Sequence, residues 1–356
     1  MPSISPRYTL AALSLATFVA FFSFAWSSTA EAGRTLMPPP GKTYFGVTDT
    51  GDGQDFRAFA QTVGKHPAVI QTFHPWGNSL HTALPRWSAV RARPMLHITT
   101  KSDSGTELIT PGQIARGAGD DYLLRLNRSL GRRKMMTYIR PLGEPNRCLN
   151  PYAAVDCSGN IRGGNYGYGA YKSAFRRMAI ILRGGAKRGT INARLARIGL
   201  PKVQKKKKST KLPRRLLAAP VSMIWSPLPA GSPTIAANAP KKFWPGTDWV
   251  DWVATDVYSR YSKWSHVKRF YKKWAIGKKM PMALTEWGLW GEDKPGFVKK
   301  IFRFMRTRKQ MRMLVYYQDF GTSNEFRIQN FPKGRKVLKR NVMKSVFPKF
   351  AKNYPR

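Results

Sequence analysis

The chain has 356 residues, and its 62 Lys and Arg against 18 Asp and Glu give a formal net charge of +44. This length is more than a small domain needs, so one sizeable hydrophobic core is feasible. The 5 histidines and 2 cysteines show no spacing typical of a metal site, so we expect no metal and no cofactor.

The first residues have the pattern of an export signal. Arg7 precedes an apolar run from Tyr8 to about Trp26, and Ala30-Glu31-Ala32 forms a small-residue cleavage site. The pattern predicts a signal peptide over residues 1–32 and a linker over residues 33–42, with a retained membrane anchor as the alternative. For an exported chain, the positive charge favours an anionic cell-wall polymer, lipid head groups or an acidic polysaccharide over nucleic acid as a partner.

From residue 43 to about residue 350, short β-branched or aromatic runs alternate with longer helical patterns, which is typical of repeated βα units. The predicted strands are Thr43 to Asp49, Ala68 to Trp76, Arg93 to Thr100, Met135 to Glu144, Val221 to Pro227, Trp249 to Tyr258, Met280 to Trp287 and Met311 to Asp319. Eight strands over this length predict a single (β/α)8 TIM barrel. A doubly wound open sheet is the alternative, but no Gly-rich phosphate loop follows the first strand.

Helical patterns lie between most of these strands. They cover Gln54 to Gly64, Pro111 to Leu130, Gly169 to Arg183, Tyr261 to Ile276, Pro295 to Arg308 and Val337 to Val346. The segment Leu84 to Val90 is a weak helix at best, and no clear helix separates the fifth and sixth strands. In such a barrel, loops after strands form the face that carries the active site, and loops after helices form the opposite face.

One stretch is strongly basic. Arg183 to Arg215 holds thirteen Lys or Arg and no acidic residue, including the run Lys205 to Lys208. It precedes the fifth strand, so it belongs to the face opposite the active site, as an insertion at about residues 184–217. Self-repulsion predicts that much of it is mobile. It is either an electrostatic tether to an anionic polymer or a solvated insertion.

Two glutamates end predicted strands. Glu144 ends the fourth strand and Glu286 the seventh, so both carboxylates are expected in the cavity of the active-site face. Hydrolysis of a glycosidic bond with retention needs an acid and a nucleophilic carboxylate about 5 to 5.5 Å apart, in unlike environments. We predict that Glu286 is the nucleophile, near the Tyr258 hydroxyl, and that Glu144 is the acid and base.

Four blocks of the sequence resemble glycoside hydrolase family 26, which includes endo-β-mannanases of the large retaining (β/α)8 clan. They are YIRPLGEPN (residues 138–146), VSMIWSP (221–227), WPGTDWVDWVATDVY (244–258) and LTEWG (284–288), and they occur in the family's order. The resemblance extends from about residue 43 to residue 320.

The resemblance implies a fourth-strand acid/base, here Glu144, and a seventh-strand nucleophile, here Glu286. It also implies that Arg140 lies beneath this pair and that Tyr258 supports the nucleophile. The chain departs from the family at one position. The family usually has His immediately before the acid/base, whereas this chain has Gly143.

Aromatic residues near the ends of the strands are candidates for sugar binding, because aromatic faces stack on the apolar faces of pyranose rings. The candidates are His74, Trp76, Trp287, Trp290 and Tyr316. Most of the 11 Trp, 14 Tyr and 19 Phe must nevertheless belong to the core.

The loop after the fourth strand overhangs the predicted site. It runs from Pro145 to Tyr168 and contains both cysteines and Asn146, a further candidate for supporting the site. In an oxidising compartment an even pair of cysteines favours a disulfide, here Cys148 to Cys157, with two free thiols as the alternative. The bridge would stiffen one wall of the cleft.

Together these patterns predict a secreted, monomeric glycoside hydrolase that cleaves a β-linked polysaccharide, mannan or a related β-glycan, by double displacement. The alternative is a non-catalytic, basic cell-wall or glycan-binding protein on the same barrel. Nucleic acid is not an expected partner, because charge alone suggests it and no binding motif is present.

Overall fold

The computed structural model describes residues 35–49, 53–205, 211–318 and 325–352. Within them, eight parallel strands close into one barrel in chain order, so the predicted single (β/α)8 barrel is confirmed. The strands are β1 (Tyr44–Asp49), β2 (Val69–His74), β3 (Arg93–Ile98), β4 (Thr137–Pro141), β5 (Val221–Trp225), β6 (Trp252–Tyr258), β7 (Met282–Gly288) and β8 (Met311–Tyr316). The predicted signal peptide, residues 1–32, lies outside the described residues.

Helices surround the barrel. They are α1 (Gln54–Val63), α2 (Ala83–Val90), α3 (Pro111–Ala115), α4 (Asp120–Arg132), α5 (Tyr168–Arg183), α6 (Arg188–Ala196), α7 (Trp264–Phe270, continued by the π-helical turn Tyr271–Ile276), α8 (Pro295–Arg306) and α9 (Pro332–Val342). Between β5 and β6 the described chain forms three short 3-10 helices instead, at Ala236–Asn238, Pro240–Phe243 and Thr247–Trp249. No helix in the described ranges is long and apolar enough to span a membrane.

The strands are buried on both faces, as expected for a parallel sheet covered by helices. In β7 every residue from Met282 to Gly288 is buried. Successive side chains point alternately into the barrel and toward the helices. The interior below the site is filled by a separate apolar cluster that includes Tyr44, Met95, Tyr138, Trp252, Ala283 and Met313.

The end of the barrel opposite the site is closed by residues 35–42. The Leu36 carbonyl accepts hydrogen bonds from Arg93 Nη1 (2.8 Å) and the Tyr138 hydroxyl (2.6 Å), and the Trp252 indole donates to the Thr35 carbonyl (2.6 Å). The expectation of a linker is corrected for these residues, because they pack against interior side chains of β3, β4 and β6.

The basic stretch after α5 is folded where it is described. It contains α6, and the backbone N–H of Gln204 donates to Asp120 (2.8 Å), which also accepts from Arg177 (2.7 Å). Residues 184–205 and 211–217 are hydrogen-bonded to α4 and α5 at several points, and the mobility expected for this stretch stays a prediction. Lys206 to Lys208 lie outside the described residues.

Candidate active site

Glu286 lies near the C-terminal end of β7 and is 7% exposed. One carboxylate oxygen, Oε2, accepts a hydrogen bond from the Tyr258 hydroxyl on β6 (2.6 Å). The other, Oε1, accepts from Gln71 Nε2 on β2 (3.2 Å) and from Arg140 Nη1 on β4. Donors from three strands thus fix the orientation of this carboxylate. Burial raises the pKa of Tyr258 well above 10, and the nearby Glu286 raises it further. The phenol therefore remains a hydrogen-bond donor.

Arg140 connects the polar groups of the barrel mouth. Its guanidinium is fully buried, and it bridges Glu286 and Asp256 while its Nε donates to Ser226 Oγ (2.6 Å). Burial lowers the pKa of the guanidinium, but Asp256, Glu286 and Glu144 raise it by more, so Arg140 stays charged. One buried cation therefore neutralises part of a cluster of three carboxylates.

Glu144 stands just beyond β4 and is also 7% exposed. Its Oε2 accepts from Arg147 Nη1 (3.1 Å), a side chain that is 41% exposed. Leu142 and Glu144 both have φ of 50°, in the left-handed region that non-glycine residues rarely adopt. The turn is held by the Glu144 N–H, which donates to the Ser226 carbonyl (2.7 Å). Such local strain clusters at functional sites.

The two carboxylates have unlike surroundings. Glu286 is held by a phenol, an amide and a buried guanidinium, whereas Glu144 meets one partly exposed Arg147. A retaining glycosidase needs this difference, because one carboxylate must stay ionised while the other exchanges a proton.

The residue before Glu144 has no room for a side chain. A Cβ on Gly143 would lie 2.7 Å from Arg140 Nε and 2.8 Å from His97 Nε2. His97, at the end of β3, accepts a hydrogen bond from the Gly143 N–H (3.2 Å), and its Nδ1 lies 3.8 Å from Glu286 Oε1. Burial lowers the pKa of His97 well below 6.5, and the nearby Arg140 lowers it further. The ring is therefore neutral. The His97 imidazole therefore fills the space beside Gly143.

No protein-family model matches the sequence, and no curated protein matches it. Several solved structures are similar to the chain. A family 26 glycoside hydrolase from a Muricauda species is 16% identical with a TM-score of 0.54, and it covers 92% of this chain and 96% of its own. A Bacillus subtilis mannanase is 12% identical with a TM-score of 0.55 (92% and 93% covered), and a Bacteroides ovatus family 26 β-mannanase is 14% identical with a TM-score of 0.54 (92% and 97%). The chain shares its fold with these structures. At these identities the likeness concerns the fold.

Two predicted sugar-binding residues lie near the mouth of the barrel but are largely covered. His74 Nε2 pairs with the Asn78 carbonyl (2.8 Å), and Trp76, 7% exposed, packs on Tyr122 with ring centroids 4.7 Å apart. Trp290 is more open. It packs edge-on against Tyr258 (5.6 Å). Among the predicted aromatic residues, Trp290 therefore lies in direct contact with the groups around Glu286.

Two other aromatic predictions are corrected. Trp287 and Tyr316 are fully buried, with ring centroids 5.1 Å apart, and they pack against Phe302 of α8 and Phe59 of α1. Side chains alternate along a strand, so Trp287 faces the helices because its neighbour Glu286 faces the cavity. Tyr317, the residue after Tyr316, contacts Tyr258 instead (5.7 Å).

The predicted role of Asn146 is also corrected. Asn146 is fully buried, its Nδ2 donates to the Leu228 carbonyl (3.0 Å), and its Oδ1 accepts from the Leu228 N–H (2.8 Å). It joins the loop after β4 to the loop after β5 and contacts neither carboxylate. In the same loop, the predicted Cys148 to Cys157 disulfide is confirmed.

The sequence patterns missed four residues that line the cluster: Gln71, His97, Ser226 and Asp256. Three of them are polar residues inside buried strands, at positions that face the barrel interior. The signal that identifies them is a polar side chain within an otherwise apolar strand, at a position that faces the barrel interior as the strand-end glutamates do. In the described part of the chain, no group of three or more His, Cys, Asp or Glu could hold a metal ion.

Proposed function

We propose that this protein is a retaining glycoside hydrolase that cleaves a β-linked polysaccharide, with β-mannan as the first substrate class. The observation that supports the proposal is the placement of Glu286 and Glu144 around one buried Arg140, at the ends of β7 and β4 and in unlike environments. The substrate class is supported by the fold neighbours, which are named β-mannanases.

In the first step, a carboxylate oxygen of Glu286 attacks the anomeric carbon while the Glu144 carboxylic acid protonates the departing glycosidic oxygen. The bond from the anomeric carbon to Glu286 forms as the glycosidic bond breaks. Arg140, Gln71 and Tyr258 prepare this attack because they hold both oxygens of Glu286 in one orientation before the sugar arrives.

In the second step, Glu144 has become a carboxylate and removes a proton from water as the water attacks the anomeric carbon. The bond to Glu286 breaks and its carboxylate is restored. Two inversions leave the product with the configuration of the substrate.

The test is hydrolysis of β-mannan, mixed-linkage glucan and xylan by the wild type and by Glu286→Gln and Glu144→Gln. Both variants should lose about 10³-fold or more in kcat on polysaccharide. On an aryl glycoside whose leaving group needs no proton, the Glu144→Gln variant should keep a rapid first step, whereas Glu286→Gln should stay inactive. NMR of the first product should show the β-anomer. Unchanged hydrolysis by both folded variants, or an initial α-anomer, would reject the proposal.

We also propose that the chain is exported. The proposal is supported by the signal pattern over residues 1–32 and by the Cys148 to Cys157 disulfide, because such bonds persist in oxidising compartments. Fractionation of the native host, with sequencing of the mature N-terminus, tests this proposal. A mature chain that begins at Gly33 outside the cytoplasm is expected, and an uncleaved chain confined to the cytoplasm would reject export.

A further inference from the structure

The cations of the helix layer are unevenly distributed. The segments α7 with its π-helical turn, α8 and α9 carry thirteen Lys or Arg and no acidic residue. The helices α1 and α2 together carry two cations, Arg57 and Arg86, and one acidic residue, Asp55. One sector of the barrel wall is therefore far more basic than the sector beside it.

The cations of this sector point to solvent because the opposite face of each helix is apolar. In α8, Val298, Ile301 and Phe302 are buried against the barrel, whereas Lys299 and Lys300 are exposed. We call the twelve exposed cations the basic belt. Its members are Lys268, Arg269, Lys272, Lys273, Lys299, Lys300, Arg303, Arg306, Lys333, Lys336, Lys339 and Arg340.

The basic belt is one continuous surface. Phe304 of α8 packs against Trp264 of α7 (5.1 Å between ring centroids), and Arg306 of α8 donates to Asn341 of α9 (2.8 Å). Packed helices lie about 8 to 10 Å apart, so their rows of charge act together. Among the salt bridges of the described residues, none includes a belt residue.

We infer that the basic belt binds an acidic polysaccharide. A hydrated polymer with a carboxylate on each repeat matches a surface that offers charge over a wide area and little else. Eight of the twelve belt cations are lysines, which act as mobile point charges and suit a hydrated polymer that is held by charge without bidentate contacts.

Other polyanions fit this surface less well. Among the described residues of α7 with its π-helical turn, α8 and α9, Ile276 is the one large hydrophobic side chain that is strongly exposed. The belt thus lacks exposed rings on which bases of a single strand could stack, and it lacks the apolar face of a helix that lies in a membrane. Nucleic acid and anionic lipid are tested below as alternatives.

The belt runs along the side of the barrel, while Glu144 and Glu286 lie at its C-terminal mouth. A polymer on the belt would therefore leave the mouth open. Binding should be independent of the proposed hydrolysis, so the Glu144→Gln/Glu286→Gln double variant should bind the acidic polymer as the wild type does. The inference can then fail or succeed separately from the proposed function.

The experiment compares three full-length variants that each lose four cations and so have the same net charge. The belt variant replaces Lys299, Lys300, Lys336 and Arg340 with Gln. The α4 control replaces Arg128, Arg132, Arg133 and Lys134, and the insertion control replaces Lys187, Arg194, Arg197 and Lys202, also with Gln. All twelve residues are exposed, and α4 lies across the barrel from α8. Circular dichroism and thermal unfolding verify that each variant is folded.

Binding is measured with polygalacturonate as the probe, and with double-stranded DNA and phosphatidylglycerol vesicles as competing arms. At about 0.01 M ionic strength the Debye length is about 30 Å, so the wild type should bind, and binding should be lost near 1 M salt. The belt variant should show a Kd for polygalacturonate about tenfold or more above that of either control. Equal weakening in all three variants, or weakening in the insertion control alone, would overturn the inference. Belt-dependent binding of DNA or vesicles without belt-dependent binding of polygalacturonate would also overturn it.

Discussion

Replacement of Gly143 by Ala tests the packing of the barrel mouth most directly. The new Cβ would lie 2.7 Å from Arg140 Nε, 2.8 Å from His97 Nε2 and 2.9 Å from Arg140 Cζ. All three distances are shorter than a methyl group tolerates. Neither neighbour is free to move away, because Arg140 Nε donates to Ser226 (2.6 Å) and His97 accepts from the Gly143 N–H (3.2 Å).

The size of the effect depends on which neighbour shifts. If His97 moves, the cost is that of an overpacked core, about 1 to 3 kcal/mol. If Arg140 moves, Asp256 and Glu286 lose their buried cation, and breaking a buried pair costs about 3 to 5 kcal/mol. Because Arg140 also holds the proposed nucleophile, kcat/KM should fall about ten- to hundredfold, which corresponds to about 1.4 to 2.7 kcal/mol of transition-state stabilisation.

Urea unfolding and kcat/KM on the active glycan measure these effects. Gly189→Ala is the matched control, because Gly189 lies in α6 without positive φ, and a Cβ there would meet nothing within 4 Å beyond the adjacent helix backbone. That control should be neutral or slightly stabilising, since Ala favours a helix. The Gly143→Ala/His97→Ala double variant should recover part of the lost stability. Wild-type stability and activity in Gly143→Ala would refute the packing argument.

Three further predictions follow from buried polar contacts. Tyr258→Phe removes the hydrogen bond to Glu286 (2.6 Å), so kcat/KM should fall about ten- to hundredfold because a bond to a charged group contributes about 1.5 to 3 kcal/mol; a change within twofold in steady-state assays would contradict this role. His97 is buried with its pKa lowered, so the unfolded chain binds an extra proton below about pH 6.5, and stability should fall by roughly 1.4 kcal/mol per pH unit from that one group as pH decreases. Thermal unfolding from pH 7 to pH 5 should show a shallower loss in His97→Gln than in the wild type, and parallel curves would exclude this contribution. Arg177→Leu leaves the buried Asp120 carboxylate without its cation and should destabilise the chain by about 3 to 5 kcal/mol in urea unfolding, with partial recovery when Asp120→Leu is added; an unaffected midpoint would show that the pair is dispensable.

Much of the fold follows from local patterns. Most residues of the strands are apolar, and in β7 every residue is buried because helices cover the sheet on one side and the packed interior covers the other. The same patterns place Glu144 and Glu286 at strand ends, and a closed parallel barrel brings such ends to one mouth. The barrel and the general position of both glutamates could therefore be predicted from the sequence.

The contacts around the glutamates could not be predicted so easily. His97 reaches Gly143 because β3 pairs with β4 in a register that sets His97 beside Arg140, and no local pattern encodes this register. The alternation of side chains between the two faces of a strand is informative for Trp287. Because Trp287 directly follows the inward-facing Glu286, local alternation places its ring among the helices, although a register shift between Leu284 and Trp287 interrupts the alternation along β7. The basic insertion contacts Asp120 and Arg177, which are distant in sequence and meet only in the folded chain.

The closure of the barrel by residues 35–42 sets the direction in which the molecule presents its cleft. The Leu36 carbonyl is fixed to Arg93 and Tyr138 at the end of the barrel that lies away from Glu144 and Glu286. The described chain therefore begins at the base of the barrel. On a support coupled through that side, whether a resin or a cell surface, the mouth would face outward toward incoming polymer, and coupling there should leave the approach to both carboxylates unobstructed.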